Sequence, residues 1–89
     1  MATQEKKSSQ DETLSEQEHH LILFNDDVNT FDHVIISLVE VCGHSEEQAE
    51  QCAIITHYKG KCSVMGGSVN ELIPIKNMLN HRGLSAEID

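Results

Sequence analysis

The chain has 89 residues and a formal net charge of −9, which bounds it to one domain and argues against nucleic acid and anionic membranes as partners, because an acidic surface repels both. Two Phe and one Tyr are its only aromatic residues, too few for a base-stacking platform. Its three cysteines, an odd number with no C-x-x-C pair, argue against a disulfide framework and point to a reducing compartment, the cytoplasm.

Residues 1–18 contain only Met1, Ala2 and Leu14 as apolar side chains. Such a stretch buries too little surface to offset the entropy of ordering, so the sequence predicts a disordered N-terminal tail over 1–18 and a folded domain over 19–89. With neither a signal-peptide core nor an Arg-rich amphipathic pattern, no secretion, transit or membrane segment is expected. Residues 21–24 are an apolar run that ends in Asn25-Asp26-Asp27 and reads as a buried strand. Phe31, Val34, Ile35, Leu38, Val39 and Cys42 then recur at helical spacing. Asn29 or Thr30 is placed to cap that helix and Gly43 to stop it.

Ser45-Glu46-Glu47-Gln48 is a capping box whose two Glu suit the helix dipole, and predicts a helix over 46–58 stopped by Gly60. Ala49, Cys52, Ala53, Thr56 and His57 share one face of it. Ile54 and Ile55 fall elsewhere, which predicts burial on more than one side. The short Gly43-His44-Ser45 connection makes the two helices neighbours. Residues 61–65, with β-branched Val64 before Gly66-Gly67, predict a second strand. Ser68 to Glu71 is another capping box, and Leu72, Ile75, Met78 and Leu79 continue at helical spacing. Pro74 would lose a hydrogen bond and clash at a sixth helical position, so an irregular turn and then a regular helix from about Pro74 are expected. His81, Arg82 and Gly83 end that helix, and 84–88 form a third strand. The fold class is therefore α+β, order β-α-α-β-α-β, a small three-stranded antiparallel sheet with three helices packed on one face.

Two features carry chemistry. Asn25, Asp26 and Asp27 pack an amide and two carboxylates between apolar runs. On spacing alone they read as a turn with a helix cap, but the same groups suit an ammonium ion. Magnesium or calcium would need more converging oxygens than one turn supplies. His57, near the end of the second helix, reads as a structural or exposed histidine; a neutral imidazole also accepts a hydrogen bond from an ammonium. The ten-residue spacing of Cys42, Cys52 and Cys62, with His44 or His57 nearby, invites a metal reading, but zinc ligands come in close pairs and these stand isolated on apolar segments. No metal site and no cofactor are expected. No Ser-His-Asp or Cys-His arrangement with an oxyanion hole is visible, so no enzyme is expected.

The runs LFNDDVNTFDHVI and AEQCAIITHYKGKC together resemble ClpS, the adaptor family of bacterial Clp proteases, in the short variant of Bacteroidetes-type bacteria. The resemblance covers 21–88 and is closest over 23–61, where the Asn-Asp-Asp turn and the His-Tyr-x-Gly-Lys segment match without a gap. It implies a non-enzymatic adaptor, expected to be a monomer. Such an adaptor binds the free α-amino group and bulky apolar first residue of N-degron substrates. It delivers them to the N-terminal domain of an AAA+ unfoldase of the ClpA or ClpC type. The amine would be held by Asn25, Asp26 or Asp27, and His57; the apolar pocket would be lined by Leu23, Asn29, Phe31, Val34, Ala53, Thr56 and Leu84. Glu71 and Lys76 match an acidic and a basic position of the unfoldase-docking patch if one residue is inserted here, although the one also reads as a cap and the other as a solvated lysine. Asn29, Phe31, Ala53 and Thr56 stand where the family usually has Thr, Met, Met and Val. The departures at Phe31, Ala53 and Thr56 support an alternative, a regulator that docks on the unfoldase without reading N-degrons.

Overall fold

A computed structural model describes residues 19–89; the tail expected over 1–18 lies outside the described residues. Six elements follow in the expected order: β1 (His19–Phe24), α1 (Phe31–Cys42), α2 (Glu46–Lys59), β2 (Lys61–Gly67), α3 (Val69–His81) and β3 (Ser85–Ile88). The sheet order is β2-β1-β3 with both pairs antiparallel. The apolar run of β1 thus occupies the centre, where both of its edges are hydrogen-bonded. Leu21 and Leu23 turn inward from it at 0 and 2 % exposure. They meet Leu38 of α1, Leu72 and Leu79 of α3 and Ala49 and Cys52 of α2 in one cluster. Each buried Leu contributes about 1.5–3 kcal/mol, which is how so short a chain sustains a core.

Local signals set the helix ends. Thr30, rather than Asn29, caps α1: its Oγ1 accepts from the His33 N–H at 3.1 Å. Ser45 accepts from the Gln48 N–H at 3.0 Å, and Ser68 and Glu71 exchange reciprocal bonds of 3.2 and 3.0 Å. Gly43 and Gly60 close α1 and α2 at φ of 72° and 93°, a region that favours glycine.

Two expectations are corrected. α3 runs without a break from Val69 through Pro74, with no irregular turn first. Its capping box pins the first turn, and Leu72 is fully buried on the core before the proline is reached. That packing outweighs the local cost of about 3 kcal/mol for a helical proline. Asn70 and Pro74 both lie on the exposed side of the helix. The second correction concerns α2, which buries one side only. Ile54 and Ile55 are 44 and 39 % exposed, because among the described residues no further layer covers the outer face of the helices. β2 also reaches Gly67, two residues past the expected end, and β3 begins at Ser85 rather than Leu84. No helix among the described residues is long and apolar enough to cross a membrane.

Candidate functional site

The polar turn after β1 is built from within. The Asn25 N–H donates to the Gly60 carbonyl at 2.9 Å, which joins the end of β1 to the end of α2. The next carboxylate organises the loop: Asp26 Oδ1 accepts from the Val28 and Asn29 N–H groups, both at 2.9 Å, and its Oδ2 accepts from Asn29 Nδ2 at 2.8 Å. The same amide donates to the Gly83 carbonyl at 2.9 Å and so straps the turn to the loop between α3 and β3. The Asn29 backbone N–H holds the Asp26 carboxyl below its ordinary value of 3.8; desolvation opposes this, while the Asn29 amide, the Val28 N–H and the charge of His33 add to it. Asp27 is exposed and makes no hydrogen bond or ion pair among the described residues.

His57 reaches the turn because α1 and α2 are antiparallel neighbours. The last turn of α2 lies beside the first turn of α1, and the imidazole stands 5.3 Å from the Phe31 ring, centroid to centroid and tilted by 52°. Tyr58, the next residue of the same helix, meets it nearly edge-on, at 4.8 Å and 84°. Neither ring nitrogen of His57 bonds to a described residue, and the side chain is exposed.

Between turn and helices lies a cavity of ≈ 290 Å³, lined by Leu23, Phe24, Asn25, Asp26, Asp27, Asn29, Thr30, Phe31, Val34, Ala53, Thr56, His57 and Leu84. All eleven residues named from the sequence for amine or pocket contact are gathered here. Phe24 and Thr30 join them; the first read only as a strand end and the second only as a cap, although each is adjacent in the chain to a named residue. The floor is buried and apolar, with Leu23, Ala53, Leu84 and Thr56 at 2, 3, 4 and 5 % exposure. The Thr56 hydroxyl donates to the Cys52 carbonyl at 2.8 Å, so the polar atom that distinguishes it from valine is engaged inside the helix. Phe31, 43 % exposed, stands at the rim against His57 and leaves the space beside Ala53 open. The volume suits one side chain rather than an extended ligand.

The remaining candidates lie elsewhere. Glu71 and Lys76 stand on α3, outside the cavity. The Glu71 carboxylate caps its own helix through the Ser68 N–H, and Lys76 is half-buried. Cys52 is in the core, with Cys42 and Cys62 packed against it. Burial pushes the Cys42 thiol up to about 11; it pushes Cys52 up as well, with a hydrogen bond to Cys62 adding to the effect. Thiols so raised are poor nucleophiles. Among the described residues no group of three or more His, Cys, Asp or Glu is placed to hold a metal ion.

An apolar floor under a polar lip has the chemistry that an amphipathic group would need. Among solved structures the chain is similar to ClpS2 of Agrobacterium tumefaciens bound to L-phenylalaninamide, with a TM-score of 0.70 and 18 % identity over 82 % of this chain and 95 % of that one. At that identity the likeness establishes the fold. No curated protein matches the sequence. The family model described as ATP-dependent Clp protease adaptor protein ClpS matches residues 15–87, and the chain therefore belongs to the ClpS family of Clp protease adaptors.

Proposed function

We propose that the protein is an N-degron adaptor that binds the free α-amine and bulky apolar first residue of a substrate and delivers it to an AAA+ unfoldase. The observation that carries this reading is the pairing of a buried apolar floor with an unengaged carboxylate and imidazole at its lip. Both oxygens of Asp26 are occupied by its own loop, so Asp27 supplies the charge that pairs with the ammonium. Asn25 offers an amide oxygen, and neutral His57 accepts a third hydrogen bond from the same group. The first side chain then descends past Phe31 onto Leu23, Ala53, Thr56 and Leu84. The ligand named for the Agrobacterium structure, an amino acid amide, carries both chemical features.

Delivery follows from docking on an unfoldase of the ClpA or ClpC type, to which Glu71 and Lys76 on α3 contribute. Residues 1–18 act in handover rather than in binding, and the protein works as a cytoplasmic monomer without a cofactor. Nothing in this scheme requires catalysis by the adaptor itself. The test is titration with short peptides beginning with Leu or Phe, each with a free or an acetylated amine. Acetylation removes the cation that Asp27 faces, so binding should be lost. Equal binding of the two forms would overturn amine capture and leave the regulator that docks without reading N-degrons.

A further inference from the structure

The imidazole of His57 has to present a ring nitrogen to an incoming ammonium, yet no polar group among the described residues orients it. Histidines that accept hydrogen bonds in a defined direction are ordinarily set by a bond to their second nitrogen. Here the neighbours are two aromatic rings. Phe31 is tilted at 52° and 5.3 Å from it, and Tyr58 is edge-on at 84° and 4.8 Å. Both lie within the separation of about 4.5–7 Å and the tilted or edge-on geometries that aromatic pairs prefer.

Each ring is carried by a helix end. Phe31 is the first residue of α1, immediately after the Thr30 cap, and Tyr58 lies within the last turn of α2. Tyr58 follows His57 directly on α2, whereas Phe31 reaches the imidazole from α1 through the tertiary fold. A methionine in place of Phe31, being unbranched and flexible, could fill the space without setting the ring plane. Tyr58 is 78 % exposed and does not line the cavity, so the first residue of a substrate has no direct use for it.

We propose that Phe31 and Tyr58 are positioning residues, an aromatic brace that holds the His57 imidazole in the orientation in which it meets the substrate's α-amine. This rests on the amine-capture reading above. Loss of either ring frees the imidazole to rotate, and part of the contribution of His57 to binding goes with it.

The experiment is a double-mutant cycle with a peptide beginning with Leu, read by titration. Tyr58→Ser should weaken binding about 2- to 10-fold, the range of one aromatic pair, and Tyr58→Phe should restore it. In the His57→Ala background the Tyr58→Ser change should have no further effect. The ring-proton resonances of His57 should move in Tyr58→Ser and in Phe31→Leu, while the melting temperature of Tyr58→Ser stays that of the unmodified protein. The brace is overturned if Tyr58→Ser leaves affinity and the His57 resonances unchanged, or if it costs as much without His57 as with it. Failure of amine capture itself would show differently, as equal binding of the acetylated and free peptides by the unmodified protein.

Discussion

His44 and His57 stand at opposite ends of α2, and the contrast between them separates a polar group bound into the scaffold from one left free at the cavity. His44 precedes the Ser45 cap and is only 7 % exposed; its Nε2–H donates to the Val64 carbonyl at 2.7 Å and ties the α1–α2 connection to β2. His57 is exposed, bonds to no described residue and lies at the mouth of a cavity. The two aspartates of the turn divide in the same way. Asp26 places both oxygens on its own loop, whereas Asp27 places neither. Burial with a hydrogen-bond partner converts a titratable group into scaffold. A group left exposed beside an apolar hollow keeps its capacity for a ligand.

The largest effect expected from this contrast is at His44. His44→Ala removes a buried ring and strands the Val64 carbonyl, so it should destabilise the fold by about 2–4 kcal/mol in urea unfolding, with peptide affinity per folded molecule unchanged. His57→Ala should do the reverse, leaving the unfolding midpoint in place and weakening peptide binding by about 1–3 kcal/mol. An exchange of these two phenotypes would break the comparison.

The aspartates sharpen it. Asp27→Asn should weaken peptide binding by about 1–3 kcal/mol without altering thermal stability, and Asp26→Asn should lower stability by about 1 kcal/mol through its lost loop bonds. The pH dependence has a defined sign. The folded protein holds the Asp26 carboxyl below its ordinary value of 3.8, so its contribution is fully present above that value and is lost as pH falls through the depressed one. The difference in melting temperature between the unmodified protein and Asp26→Asn should therefore close as pH is taken below 3.8. A gap that persists in strong acid would mean that the carboxylate charge does not organise the turn.

A smaller effect is expected on the floor. With Phe31 at the rim and Ala53 buried beside open space, peptides beginning with Ile or Val should bind within about 1–2 kcal/mol of those beginning with Leu or Phe. Ala53→Met should exclude the branched residues and restore a stricter preference. Identical selectivity in the two proteins, measured by titration of the same peptide series, would show that the opening beside Ala53 is not used.

The smallest effect is kinetic. Cys42 and Cys52, raised by burial, should react slowly with iodoacetamide at neutral pH and rapidly once the protein is unfolded in urea. Fast native labelling at either, located by peptide mass mapping, would contradict their assignment to the scaffold.

Much of this architecture is written in short-range signals. Ser45, Ser68 and Glu71, Gly43 and Gly60 mark helix ends through bonds to residues three to five places away, so the elements can be read in order. Pro74 and the Ile54-Ile55 pair misled for a common reason. The penalty of a helical proline is local, but the burial of Leu72 that offsets it is not. Isoleucine favours burial, yet whether another layer exists to cover it depends on the whole fold. Within the cavity, residue chemistry by itself singled out Asn25, Asp26, Asp27 and His57. The lining residues came from a family resemblance, because Ala53, Thr56 and Leu84 look like ordinary core.

The sequence by itself determined the element order, the helix caps, the apolar centre of the sheet and the presence of an acidic turn, because each depends on residues close together in the chain. Tertiary structure decided what those parts do for one another. The antiparallel pairing of α1 and α2 carries His57 to the turn and sets it against Phe31. The Asn29 bond to the Gly83 carbonyl brings the loop of Leu84 against the same cavity. The folded loop likewise distinguishes two adjacent carboxylates, bonding Asp26 to its own backbone and leaving Asp27 exposed, since identical side chains differ only in the hydrogen bonds that their surroundings supply.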